Sequence, residues 1–405
     1  MYISAIEGIV RVATTHHIGV GLVSVGWMGR LHSRAYLAAP RHYSDLPVTT
    51  HLTMAADPDA DSRSHASEIL GYRQTTDDYR EVLSHPEVDV VSICSPNFLH
   101  HEIALAAIAA GKPFWIEKPM GRGAHESGEI ARAATDAGLV TSVGFNYRHA
   151  PAIAHARQLV RDGALGTITN VRVSLLADYS ADPEGALTWR FNRERAGTGV
   201  LGDLLSHGAD LAQYVVGRIA SVSGLTETFI RTRPLPSAGA ASHFSKGSTD
   251  GPTGAVENED YAAIIARFEG GAVGVLESSR VAIGPRAEYR LEVYGTKGSL
   301  RWDFQRLNEL RFAQDTSGYR TIMVGPGHGD FALFQPGAGT SMGFDDLKTI
   351  EAALFLRSVI ENRQLAPSAS DAWSAAEIVE AASISAVSGA WVDVATVTGS
   401  TTYDT

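Results

Sequence analysis

Apolar and polar positions change their rhythm once along the chain. The first clear run is Ile18-Gly19-Val20-Gly21-Leu22-Val23, which stops at Ser24-Val25-Gly26-Trp27-Met28-Gly29 and gives way to helical spacing over Arg30 to Ala39. Strand, glycine turn and helix in that order open a βαβ unit. The alternation then repeats. Thr49 to Ala56 reads as a strand ending at Asp57-Pro58-Asp59, and Ala60 to Leu70 as a helix. Asp89 to Cys94 is a buried-type strand ending at Ser95-Pro96-Asn97, followed by a helix over His101 to Ala110. Pro113 to Ile116 is a strand ending at Glu117-Lys118-Pro119. Glu126 to Ala137 is a helix closed by Gly138, and Leu139 to Val143 a further strand. This pattern predicts a doubly wound parallel sheet over 18–145.

After about Phe145 long strands dominate. Ile168 to Leu175, Tyr261 to Phe268, Ala272 to Ser279 and Tyr289 to Tyr294 run at strand length, and Gly295-Thr296-Lys297-Gly298 is a hairpin signal. An open, mainly antiparallel sheet is expected in a second α/β domain over 146–405. Val200 to Val216 has helical spacing instead. Arg233 to Gly254 is rich in Pro, Gly and Ser and reads as a long loop. Phe344 to Glu361 and Ala372 to Val387 read as closing helices, in the second domain or packed back on the first. Residues 1–17 read as a flexible extension without the apolar core and cleavage site of a signal peptide.

Composition narrows the class. The 405 residues suit two or three domains. Lys plus Arg number 34 against 45 Asp plus Glu, a net charge of −11 with no basic block, which argues against a nucleic-acid partner. No apolar run approaches the ~18 residues of a membrane span, so no membrane partner is expected. Cys94 is the one cysteine, which excludes an internal disulfide framework and fits a cytoplasmic protein.

The slots of a G-x-G-x-x-G fingerprint fall on Ser24, Gly26 and Gly29, with Trp27 and Met28 between them. The second glycine lets backbone approach a pyrophosphate, and the third lets helix pack on strand. Ser24 replaces the glycine of the tight turn. Asp57, ending the second strand, suits the ribose hydroxyls and would repel a 2′-phosphate, so NAD is expected and NADP disfavoured. Glu117-Lys118-Pro119 also follows a strand of this sheet, where ligands collect. Asp203 and His207, four apart, share one helix face. No histidine spacing suggests a metal, and none is expected. Cys94 and Trp302 read as core.

Together these pieces resemble the Gfo/Idh/MocA family of glucose–fructose oxidoreductase, inositol dehydrogenase and their relatives. The matching residues are Val25-Gly26-Trp27-Met28-Gly29, Ser95-Pro96-Asn97 with His100, and Gly111-Lys112-Pro113 leading to Glu117-Lys118-Pro119. Gly144-Phe145-Asn146-Tyr147-Arg148 and Gly202-Asp203 with His207 and Asp210 complete the set. The resemblance implies a Rossmann domain, then a substrate-binding and oligomerisation domain, in a homodimer or homotetramer associating through its sheets. It implies Lys118, Asp203 and His207 as catalytic residues. Ser95, Pro96, Asn97, His100 and Glu117 would line the cofactor, with Trp189-Arg190 reaching its nicotinamide end. It also implies a cis Lys118–Pro119 bond. Within the family, Tyr179-Ser180-Ala181-Asp182-Pro183, Trp189-Arg190-Phe191 and the loop near Arg233-Pro234-Leu235 resemble members that oxidise the C3 hydroxyl of an anhydrosugar.

The expected activity is hydride transfer from a ring hydroxyl of a sugar, anhydrosugar, glycoside or cyclitol to NAD. His207, with a natural pKa near ~6.5, suits the base. Asp203 is expected to place it and stabilise its imidazolium, and Lys118 to polarise the hydroxyl. Tyr147, Asp178 and Arg190 are candidate substrate contacts. A glycosidase that retains its NAD and a non-catalytic dinucleotide-binding relative remain as alternatives.

Overall fold

The computed structural model describes residues 15–236, 245–248 and 251–399. Most of the expected extension therefore lies outside the described residues. His16 and His17 already belong to the first strand, where they pair with Val48 and Thr49.

Six strands, β1 (His16–Val23), β2 (Val48–Ala56), β3 (Gln74–Thr76), β4 (Val90–Ile93), β5 (Phe114–Ile116) and β6 (Thr141–Val143), run parallel in the order β3-β2-β1-β4-β5-β6. Their connections carry α1 (Trp27–His42), α2 (Ala60–His65), α3 (Tyr79–Ser84), α4 (Asn97–Ala109) and α5 (Ala124–Asp136). Central strands are buried on both faces, which is why β4 and β5 read as unbroken apolar runs. The strand order is that of a Rossmann fold, with its switch point between β1 and β4. Two helices start earlier than their spacing suggests. The glycine turn itself forms the first turn of α1, and α4 begins at Asn97, directly after Pro96. The elements β3 and α3 are too short to show a period.

The second half contains α6 (Pro151–Arg161), β7 (Ile168–Ala177), α7 (Arg193–Ala196), α8 (Ser206–Val215), β8 (Ile219–Glu227), β9 (Thr232–Pro234) and β10 (Thr253–Ala255). It continues with β11 (Tyr261–Phe268), β12 (Val273–Ser279), β13 (Ala287–Gly295), β14 (Gly298–Asp303), β15 (Glu309–Gln314) and β16 (Arg320–Met323). It closes with α9 (Phe344–Glu361), α10 (Ala369–Ser388) and β17 (Val392–Asp393). Nine strands form one sheet in the order β16-β15-β14-β13-β7-β12-β11-β8-β17. Only β7 and β12 pair parallel. The expected long loop is pinned at its base, where β9 and β10 pair antiparallel.

One face of this sheet is core. Val171, Val173, Leu175 and Ala177 of β7 alternate with more exposed neighbours and pack with residues of α8, α10 and the first domain in one cluster. The closing helices do not stay in one half. Ala352, Phe355 and Leu356 of α9 pack beside Ala35 and Tyr36 of α1, and Tyr36 meets Phe355 edge-on. Among the described residues no helix is long and apolar enough to cross a membrane.

Candidate active site

The carboxyl ends of β1, β2, β4, β5 and β6 converge on one edge of the first sheet, and almost every sequence-predicted site residue sits there. Ser24 leaves β1 with a left-handed φ of 76°, a conformation that favours glycine. Its N–H donates to the Ala56 carbonyl at 2.8 Å. Its own carbonyl lies so close to α1 that a Cβ on Gly29 would stand 2.1 Å away, so Gly29 is needed for strand–helix packing. Gly26 differs. A Cβ there would meet nothing nearer than Ser24 Oγ at 4.0 Å. Among the described residues that space is left open, and the N-cap residue Gly26 supplies no side-chain cap to α1. A cradle of free N–H groups with room in front fits a pyrophosphate.

Asp57 has a second duty that its position in the sequence did not reveal. Its buried carboxylate accepts the Val25 N–H at 2.8 Å and the Asp59 N–H at 3.0 Å, so it fastens the glycine turn to β2. Ser95 Oγ, at the β4 end, is buried without a hydrogen-bond partner among the described residues. Asn97 Nδ2 donates to the Ala196 carbonyl and ties α4 to α7. Trp27 is 65% exposed and stacks on Phe344 at 5.9 Å. Met28 is half-buried.

Two expected cofactor-lining residues are buried and already engaged by other groups of the protein. His100 is 1% exposed, with Nε2 2.7 Å from the Ser95 carbonyl and Nδ1 2.8 Å from the Pro119 carbonyl. It bridges two strand ends. Glu117 is 7% exposed and contacts His32 and Lys348 in the interior. Both lie in motifs that follow strand ends, but local spacing does not say which way a side chain turns.

Lys118 follows Glu117, and its peptide bond to Pro119 is cis. Its Nζ donates to Asp203 Oδ1 at 2.8 Å and to the Asp203 carbonyl at 2.7 Å. Tyr179 donates its hydroxyl to Asp203 Oδ2 at 2.5 Å, and Arg190 Nη1 stands 4.0 Å from Oδ1. Burial alone would raise the Asp203 carboxyl. The charges of Lys118 and Arg190, with the hydrogen bonds from Lys118 and Tyr179, outweigh burial and hold it well below the usual carboxylate range. Asp203 lies in a wide, π-type turn over 201–205 that leads into α8.

His207 stands in the first turn of α8, 7% exposed, with its ring 4.7 Å from that of Tyr147 and 5.8 Å from that of Phe145. Among the described residues no hydrogen bond joins it to Asp203. The expected His–carboxylate pair is thus a Lys–carboxylate pair, because Lys118 and Tyr179 take the Asp203 oxygens. Nor does the imidazole keep its ordinary pKa. Burial, then the Lys118 charge, push it well below 6.5, with Glu117 and Asp203 opposing. The ring is a neutral proton acceptor at physiological pH.

Tyr147 is buried against Tyr289 at 5.3 Å and Phe304 at 5.1 Å. Phe304 in turn meets Phe344 at 6.2 Å, so aromatic rings run from His207 to Trp27. Trp189 stands edge-on to Phe98 at 5.9 Å and carries the Arg190 guanidinium 4.6 Å above its ring, beside Asp203. Asp178 is not brought to this group. Its carboxylate pairs with the exposed Arg286 at 2.8 Å. Tyr289 was missed, since a tyrosine within a strand carries no signal beyond alternation. Tyr179 lay in a noted segment but without a role.

The sequence matches two family models. Residues 18–145 match an oxidoreductase family with an NAD-binding Rossmann fold, and residues 153–301 match a GFO/IDH/MocA C-terminal domain. Levoglucosan dehydrogenase of Pseudarthrobacter phenanthrenivorans is 37% identical over 383 residues, 93% of this chain and 98% of the relative. A solved levoglucosan dehydrogenase in complex with NADH and levoglucosan superposes with a TM-score of 0.87 at 35% identity, covering 94% of this chain and all of the other. An inositol dehydrogenase homologue complexed with NAD+ from Azotobacter vinelandii shares the fold at 23% identity, with a TM-score of 0.77 over 95% of this chain and 98% of the other.

Proposed function

The chain belongs to the Gfo/Idh/MocA oxidoreductases, with an NAD-binding Rossmann domain, and we propose that it oxidises a ring hydroxyl of a sugar or anhydrosugar of the levoglucosan kind. NAD, when bound, supplies the hydride acceptor. Ser24, Gly26, Trp27, Met28, Gly29, Asp57, Ser95, Pro96 and Asn97 would hold it, at the strand ends described above.

The observation that carries the reading is Lys118 Nζ fixed at 2.8 Å on Asp203, with His207 buried in the first turn of the helix that follows. The Lys118 ammonium polarises the substrate hydroxyl and stabilises the alkoxide character that grows as hydride leaves. His207 takes the hydroxyl proton. Asp203 aims Lys118, and its charge also favours the imidazolium that results. Arg190 and Tyr179 close the Asp203 side.

The open face of the second sheet supports assembly with a second copy. Leu225, Ile265, Val273 and Val275 are exposed there, and Ile265 lies directly opposite Val275. A contiguous exposed apolar patch of this kind marks an interaction surface. We place the protein in the cytoplasm, where a single unpaired cysteine is ordinary.

The test is a panel of levoglucosan, glucose, myo-inositol and simple glucosides with NAD, followed by NADH absorbance. Turnover of levoglucosan or glucose is expected. NADH formation with the cyclitol alone would replace the sugar assignment, and none with any member would overturn it.

A further inference from the structure

A buried ion cluster beneath the Lys118 turn has no part in the scheme above. Lys348 of α9 is 1% exposed, with Nζ 2.6 Å from Glu117 Oε1 and 2.8 Å from Glu351 Oε2. The same Glu117 oxygen is 2.9 Å from His32 Nε2, and the His32 ring lies 3.4 Å over that of Trp115. The other Glu117 oxygen accepts the Lys118 N–H at 3.3 Å. The far wall is equally close, since a Cβ on Gly144 would stand 2.7 Å from the carboxylate oxygens. A carboxylate wedged at this point touches the backbone of the residue proposed to polarise the substrate.

Burial alone would raise the Glu117 carboxyl, but Lys348 and His32 hold it well below the carboxylate range. Burial pushes His32 down to about 4, so at neutral pH His32 contributes a hydrogen bond and no charge. Burial likewise pushes the Glu351 carboxyl up to about 7. The Lys348 charge is therefore committed to Glu117 first. Fastening α9 to the sheet would not require it, because apolar residues of similar volume often hold buried elements as well as an ion pair does.

We propose that Lys348 is a positioning residue for Lys118: it fixes the Glu117 carboxylate, and the carboxylate fixes the Lys118 turn. The C-terminal helix α9 is thereby part of the reaction machinery, although it begins more than 220 residues after Lys118. The inference rests on the role given to Lys118 above.

The test compares K348M, K348R, E117Q and the double variant K348M/E117Q by thermal melting, NAD titration and steady-state kinetics. Folded K348M should keep its NAD affinity within about twofold and lose about tenfold to a hundredfold in kcat. K348R should recover most of the loss. The losses of K348M and E117Q should not multiply in the double variant, which removes both ends of the Lys348–Glu117 pair and leaves Glu351, already pushed up by burial, free to stay protonated, and which so carries the comparison if K348M does not fold. A readout without turnover separates this inference from the proposed reaction. Amine labelling of Lys118, followed by peptide mass spectrometry, should quicken about fivefold or more in K348M, E117Q and the double variant, as expected when a packed contact opens locally. Lys112, tied to the Val88 carbonyl at the other end of β5, should label as before. Unchanged labelling of Lys118, equal quickening of both lysines, or unchanged kcat in a folded variant with an active parent would overturn the proposal.

Discussion

Two turns at the same edge of one sheet do their work in opposite ways. The Ser24–Gly29 turn after β1 offers backbone: a left-handed residue, an open glycine and a helix end that its N-cap residue leaves uncapped, fastened by one carboxylate from the neighbouring strand. The Glu117–Pro119 turn after β5 offers charge. Its lysine is held by Asp203 and its glutamate by Lys348, both from beyond the first domain. The difference follows from the role proposed for each. A pyrophosphate is satisfied by N–H groups that the turn makes by itself. A proton and a hydride need an ammonium and an imidazole placed to a fraction of an ångström, which takes support from several elements.

The comparison breaks first if the charged turn is not where chemistry occurs. His207→Ala should lower turnover by about 10²–10⁴ at neutral pH, with partial recovery as pH rises, while calorimetry shows NAD binding unchanged. Near-normal turnover would remove this histidine from the reaction.

A smaller effect is expected from Asp203→Asn, and its pH signature is the sharper test. With the imidazole held below 6.5, the base is neutral from mildly acid pH upward. The acid limb of kcat/KM in the parent should therefore lie below pH 6.5. The Asp203 carboxylate raises the His207 pKa, so its loss should move the limb further down. An upward shift in the pH–rate profile would show that this carboxylate does not support the imidazolium.

On the backbone turn, Asp57→Ala should erode a preference for NAD over NADP and also lower the melting temperature, since the Val25 N–H loses its acceptor. Equal kcat/KM with both cofactors in the parent would remove Asp57 as a discriminator. The smallest effect belongs to Ser24→Gly. Relief of a left-handed φ is worth about 1 kcal/mol, and glycine returns part of that as chain entropy. Melting temperature should hold or rise slightly and NAD affinity should not weaken. A tenfold loss in titration, about 1.4 kcal/mol, would mean that Ser24 Oγ touches the dinucleotide.

The sequence by itself determined what is local. Apolar runs and glycine stops announced β1, β2, β4 and β5, because buried parallel strands read as unbroken apolar segments. The spacing of Ser24, Gly26 and Gly29 announced the turn, and the order of short motifs picked out Lys118, Asp203 and His207. Tertiary structure decided the partnerships. Four-residue spacing put Asp203 and His207 on one helix face, yet Lys118 and Tyr179, 85 and 24 residues away, took the carboxylate oxygens. His100 and Glu117 were engaged by other groups of the protein, Asp178 went to Arg286, and Lys348 arrived from 231 residues beyond Glu117. Periodicity and turn chemistry act over a few residues and can be read from them. Which buried charge finds which counter-charge depends on how distant elements pack, and no local pattern records it.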